Sequence, residues 1–233
     1  LSITHLPYFT PYLEGIKNIG FGLHNAILAG YDEEEQTVML LDHRWSKPQV
    51  IPMQALRDSR SIQNVEVNPR GAFRAMLLPE PPATIHDEIE YALRLNVSRL
   101  LHPFAFKMGL PGLKTFRREI DVIAHAGLDD DRREAVGTFA TLMEKLGTGG
   151  GNFRRMYGNF LKKISTMDGF SSLQQIGKQY SQCATLWKQL SINMTDWSEH
   201  DNAEAAEQSC AILDQLVRME YECVEKIYGF LHH

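Results

Sequence analysis

The sequence predicts an α+β protein, with an antiparallel β unit over residues 1–80 followed by an all-α helical bundle over residues 81–233. Three observations predict it. Before residue 80, apolar runs are short, β-rich and separated by Gly, Pro and Asp. Beyond it, apolar residues recur every three or four positions almost to the end. Between the two lies Pro79-Glu80-Pro81-Pro82-Ala83, the composition of a stiff linker.

Taken in order, Leu1 to Leu6 reads as a strand ended by Pro7. Residues 23–31 and 36–42 form a hairpin with Asp32-Glu33-Glu34-Glu35 at its turn, and Gln49-Val50-Ile51 is a short third strand. Pro52 suits the first turn of a helix that Met53 to Ser59 continue. A last strand is expected over residues 72–78. Thr84 then caps a helix, with Asp87 three residues on, running to about His102 ahead of Pro103. Gly109-Leu110-Pro111-Gly112 reads as a break, followed by helices to Ala126 and from Asp129 to Leu146. A glycine-rich break at residues 147–151 precedes a helix from Asn152, with Phe153, Met156, Tyr157, Phe160 and Ile164 on one face. Apolar spacing gives two longer helices: about Ser171 to Met194, then one through Ala203, Ala206, Cys210, Leu213, Val217, Val224, Ile227 and Leu231. Six helices packed as a bundle are expected beside the β unit.

Composition excludes several functions. A net charge of -5 argues against nucleic acid, and the short pairs Arg117-Arg118 and Arg132-Arg133 read as solvated helix faces. No run of 18 apolar residues exists, so no membrane span is expected. Three cysteines without CxxC spacing give neither a disulfide framework nor a zinc site; they fit a reducing, cytoplasmic compartment. Cys183, Cys210 and Cys223 all fall inside helices, where a thiol is usually an inert small hydrophobe. His86, His102 and His125 lack paired spacing, and no metal is expected. Leu1 is not Met and opens mid-strand, so the chain is expected to be a truncated or processed piece.

Two places carry candidate chemistry. His24 opens the first hairpin strand and Asp42 closes the second, so antiparallel pairing brings them side by side. A carboxylate there fixes the imidazole's tautomer and stabilises its protonated form, which makes His24 a general base and Asp42 its orienter. The same spacing also suits a strand histidine with no chemistry. The second place is Gly147-Thr148-Gly149-Gly150-Gly151, which lacks the Lys-Ser/Thr and the preceding strand of a P-loop. Its free N–H groups, with Arg154 and Arg155 in the following turn, suit an anion such as a phosphate. A tight turn whose glycines let helices approach is the other reading.

Four segments of the first half run in order. They are Leu6-Pro7-Tyr8, His24-Asn25-Ala26-Ile27-Leu28-Ala29-Gly30-Tyr31-Asp32, Leu41-Asp42-His43-Arg44 and Met53-Gln54-Ala55-Leu56-Arg57-Asp58-Ser59-Arg60. Followed by Gly147-Thr148-Gly149-Gly150-Gly151-Asn152-Phe153-Arg154-Arg155-Met156-Tyr157-Gly158-Asn159-Phe160-Leu161, they resemble the butirosin biosynthesis protein H family along essentially the whole chain. The glycine-phenylalanine-arginine stretch is the more specific part; papain-like peptidases share the histidine stretch.

The resemblance implies that the β unit is the C-terminal half of a papain-like core. It implies an acyltransferase of secondary-metabolite (antibiotic) biosynthesis. The acyl group leaves a carrier-protein thioester, rests on a cysteine, and passes to an amine of a small molecule. His24 and Asp42 would be catalytic. Gly149, Gly150, Gly151, Arg154, Arg155 and Tyr157 would bind substrate or the phosphopantetheine arm, which the partner acyl carrier protein brings; the chain itself needs no cofactor. The nucleophilic cysteine is expected outside this chain, because the family carries it ahead of the Leu-Pro-Tyr strand and no cysteine here matches it. An N-terminal segment or second subunit would then complete the core, and a homo-oligomer stays open. A cysteine peptidase or amidase with the same machinery, or a non-catalytic helical interaction module, are the alternatives.

Overall fold

The computed structural model describes residues 2–5, 25–42, 45–61, 71, 73–75, 84–105, 107–144 and 150–232. The chain is α+β and forms two compact units, Leu1–Pro81 and Pro82–His233.

The first unit contains β1 (Ser2–His5), β2 (Asn25–Asp32), β3 (Thr37–Leu41), β4 (Gln49–Pro52), helix α1 (Met53–Ser61) and β5 (Phe73–Ala75). The strands form one antiparallel sheet in the order β4-β3-β2-β1-β5. The β2–β3 turn is built by Asp32, whose Oδ1 accepts from the N–H groups of Glu34 and Glu35, both at 3.0 Å. Leu28 pairs with Leu40 and Gly30 with Met39, so Ala29 is the extra residue of a bulge. Along β3, Val38 and Leu40 are buried while Met39 and Leu41 are exposed, the period of two of a sheet covered on one side. The covered face packs Ala26, Val38, Leu40 and Ile51 against Leu56 of α1. Burial of each of Val38, Leu40, Ile51 and Leu56 contributes about 1.5–3 kcal/mol.

Among its described residues the second unit has six α-helices: α2 (Ile85–Leu101), α3 (Gly109–Ala126), α4 (Asp130–Glu144), α5 (Arg154–Ile164), α6 (Leu173–His200) and α7 (Ala203–Phe230). A 3₁₀ turn, Gly151–Phe153, leads into α5. α6 is the central element and packs against α4, α5 and α7; α2 and α3 pack on α7. Apolar stripes at helical spacing fill two clusters, one around Leu93, Leu161, Leu173 and Ile227, the other around Ile120, Ala140, Leu190 and Leu213. The start of α2 is a capping box: Thr84 Oγ1 accepts from Asp87 N at 3.3 Å, and Asp87 Oδ2 from Thr84 N at 3.0 Å. Asn202 caps α7, its Oδ1 accepting from Glu204 N at 3.0 Å and Ala205 N at 3.3 Å.

Several boundaries differ from those the sequence predicts. The helix expected from Asn152 begins at Arg154, because Asn152 and Phe153 have φ of 47° and 65°, and Pro52 closes β4 rather than opening α1. Gly109-Leu110-Pro111-Gly112 is the first turn of α3, not a break. Proline is tolerated there because first-turn N–H groups have no acceptor within the helix. α6 runs past Met194 to His200, because Trp197, 3% exposed, continues the stripe three residues on.

The α5–α6 crossing is unusually close. A Cβ at Gly158 would lie 2.8 Å from the Gly177 carbonyl oxygen, and one at Gly177 would lie 2.9 Å from that of Gly158. Only hydrogen fits at either position. Gly158→Ala should therefore destabilise the protein by about 1–3 kcal/mol through overpacking, read as a lower urea midpoint. Gly229→Ala is the control: a Cβ there meets nothing within 4 Å, and the change should be neutral or stabilise by up to about 1 kcal/mol. Equal effects of the two would refute the crossing.

Candidate functional site

Asp42 directly follows β3 and keeps the strand's alternation: Val38, Leu40 and Asp42 are 3%, 0% and 7% exposed, whereas Met39 and Leu41 are 41% and 37% exposed. The carboxylate thus sits on the core side of the hairpin, where an ionised group is costly unless its environment compensates. Its backbone carbonyl accepts from Trp45 N at 3.2 Å. His24, the other half of the expected pair, lies outside the described residues, as does Gly149.

The glycine turn belongs to the helical unit. Gly150, Gly151, Asn152 and Phe153 have φ of 89°, 60°, 47° and 65°, four successive residues in the left-handed region. Glycine is required at Gly151 for a second reason: a Cβ there would lie 2.7 Å from the Ala184 Cβ and 2.9 Å from its Cα. The turn lets the chain pass directly over α6 before α5 begins. An anion does sit at this turn, and the chain supplies it: Gly151 N donates to Glu144 Oε2 at 2.7 Å.

Arg154 points inward. Its Nε and Nη2 donate to Glu220 Oε1 and Oε2 at 2.8 and 2.5 Å, and its Nη1 donates to the Asn152 carbonyl at 2.8 Å. Glu220, 1% exposed, also accepts from Trp187 Nε1 at 2.7 Å. The guanidinium lies 5.6 Å from the Trp187 ring. Burial disfavours the charge on Arg154, but the Glu220 carboxylate outweighs this and holds its pKa above the ordinary arginine value. Arg154 is thus a largely buried tie between α5 and α7, 18% exposed, and each of its three nitrogens donates within the protein. Arg155 is exposed.

Tyr157 meets the Tyr180 ring edge-on at 4.8 Å. Burial pushes both phenol pKa values up, so both hydroxyls stay protonated. Two cavities share Leu100 and Arg154 in their walls. One, of about 570 Å³, is lined by Met108, Phe116, Phe139 and Trp187; the other, of about 370 Å³, by Asn96, Phe153, Tyr157 and Tyr180.

The structure therefore gathers Gly150, Gly151, Arg154 and Tyr157 at the head of α5. Sequence reasoning missed Glu220, Trp187 and Glu144, which complete that place. One signal marks Glu220: a charge interrupting the apolar stripe between Val217 and Val224. The thiols are spent. Cys183 and Cys223 are fully buried, and a hydrogen bond to Cys223, then burial, raises the Cys183 pKa; burial does the same to the half-buried Cys210. Among the described residues no group of His, Cys, Asp and Glu could hold a metal, and no helix is long and apolar enough to cross a membrane.

A family model described as Domain of unknown function (DUF4872) matches residues 54–227. The match starts in α1 and takes in the glycine turn, Arg154 and Glu220, while leaving out Asp42. No curated protein and no solved structure matches the chain.

Glu220→Ala should destabilise the helical unit by about 3–5 kcal/mol, because it strands a buried guanidinium. Replacing both partners by Met and Leu should recover most of that loss, and a full-size loss in the double variant would contradict this account. A second expectation concerns alkaline pH. Tyr157, Tyr180 and Cys183 keep their protons in the fold, whereas in the unfolded chain thiols ionise near pH ~8.5 and phenols near ~10. Above those values the unfolded state binds fewer protons, so stability falls as pH rises; below about pH 8 the contribution is complete. Urea midpoints from pH 8 to 11 should decline, and less steeply for Tyr180→Phe.

Proposed function

We propose that this chain, which belongs to the family described as Domain of unknown function (DUF4872), is the His/Asp-bearing part of a thiol-dependent acyltransferase. The reading rests on the buried carboxylate of Asp42, 7% exposed on the core side of the β2–β3 hairpin. That is the position which the resemblance to the butirosin biosynthesis protein H family gives to the histidine's orienter. His24 lies two residues before Ala26 in sequence, and Ala26 is on the same covered face as Leu40. The reading requires that the alternation of β2 reach His24.

The chemistry runs in two steps. A cysteine thiolate from a segment or subunit outside these residues attacks the carbonyl carbon of a carrier-protein thioester. The tetrahedral intermediate, its oxyanion held by backbone N–H groups, expels the phosphopantetheine thiolate, which takes a proton from the His24 imidazolium. An amine then attacks the acyl-cysteine, His24 removes its proton, and the cysteine leaves as thiolate with an amide formed. Asp42 keeps the imidazole in the competent tautomer. Three free thiols suit a cytoplasmic enzyme.

A non-catalytic helical module is the second reading. It is favoured by one observation: the family match covers residues 54–227 and omits both His24 and Asp42.

The test incubates the native protein with an acyl-N-acetylcysteamine thioester, with and without an aminoglycoside as amine. Amide product is expected, and Asp42→Asn should lower kcat by on the order of 10⁴. Hydrolysis indifferent to every amine would sink the transferase and leave a peptidase or amidase. Full biological activity in His24→Ala would leave the helical module.

A further inference from the structure

In folded proteins nearly every buried polar side-chain atom has a hydrogen-bond partner. The described residues contain four without one: Arg60 Nε, Asn96 Oδ1, Tyr157 Oη and Tyr180 Oη. The last three belong to residues of three helices, α2, α5 and α6, that line the same cavity of about 370 Å³, with the atoms themselves sealed behind its wall. Tyr180 is 1% exposed. Three orphan groups brought together from such distant points in the chain mark a place where hydrogen bonds are to be made to something else.

From this convergence we infer that the cavity is a binding site for an uncharged small molecule with an aromatic or apolar body and an amide or hydroxyl edge. The walls specify that chemistry. Arg154 is the one charged residue lining the cavity, and Glu220 neutralises it through two hydrogen bonds. No charge is left for an ionic ligand. The two hydroxyls and the Asn96 amide offer both donors and acceptors, as an amide requires. Leu100, Phe153, Met156 and Phe160 supply apolar surface, and Phe153, Met156 and Phe160 are 50%, 61% and 36% exposed at the rim. The three polar atoms are sealed from solvent in this conformation, so a ligand reaches them by displacing a rim side chain. Met156, unbranched and the most exposed of the rim residues, is the one that yields. The site lies wholly within the helical unit and uses neither His24 nor Asp42.

The experiment measures binding of benzamide, benzoate, benzylamine and toluene to the full chain by ligand-observed NMR. Benzamide should bind saturably and at least about tenfold more tightly than the other three. The double variant Tyr157→Phe/Tyr180→Phe should lose about tenfold or more in benzamide affinity. It should leave toluene unchanged and melt no lower than the parent, since it removes hydroxyls that have no partner to lose. Met156→Trp, at an exposed position, should block benzamide with unchanged helical content. The inference is overturned by absent saturable benzamide binding, by equal affinity for toluene, or by benzamide affinity that survives the double variant or Met156→Trp.

Discussion

The bidentate pair between Arg154 and Glu220 is the constraint around which the helical unit is arranged. Glu220 is almost wholly buried on α7, and its oxygens are satisfied by the first-turn arginine of α5 and the indole of Trp187 on α6. Three helices therefore share one carboxylate. The register of α5 is set by where that guanidinium must reach, and the abrupt glycine turn is what lets α5 start there. Gly151 rests on the backbone of Ala184, and Gly158 on that of Gly177. Small residues above and below the ion pair bring the helices near enough for it to close. A buried pair of this kind adds little net stability over an apolar filling. It does make any other seating of α5 expensive, since a shift of one turn would leave both charges unpaired.

The same pair divides the interior. Arg154 stands in the wall of both cavities, and its neutralisation leaves the smaller without a free charge; the larger also carries Lys107 and Glu119, which pair with each other at 3.0 Å. The two differ in their polar content. The larger sets Lys107, Thr115 and Glu119 beside Phe116, Phe139 and Trp187, whereas the polar groups of the smaller are those of Asn96, two tyrosines and Arg154. In the β unit, burial of polarity is resolved differently. A one-sided sheet leaves Met39, Leu41 and Val50 open and draws Asp42 to its covered face.

Features with local causes were legible in the sequence. Thr84 and Asp87 predict their capping box because its partners are three residues apart. The acidic turn after β2 is closed by the Asp32 side chain bonding two and three residues on. The six helices follow from apolar spacing together with caps, prolines and glycine-rich breaks. What was not legible depends on distant partners. Strand β1 lies between β2 and β5, a pairing across most of the first unit that no local pattern encodes. Arg154 reads as an anion holder by its position after a glycine run, but its partner lies 66 residues on. Tyr180 reads as one more apolar step along α6, and only the fold reveals that it lines a cavity with its hydroxyl buried and without a partner. Gly158 and Gly177 each look like weak points of a helix until the two helices are seen to cross at them.

The 66-residue separation also has a meaning in time. A ribosome adds about 5–20 residues per second, so Arg154 is made roughly 3–13 s before Glu220 exists. α7 packs against α2, α3 and α6 and is made after all three. During synthesis α4 and α5 can already pack on α6, while the stripes that α7 covers and one guanidinium wait unmatched. α6 and α7, joined by the single turn Asp201-Asn202, are the pair that can dock as soon as both are made. The last helix made thus closes the bundle over α2, α3 and α6.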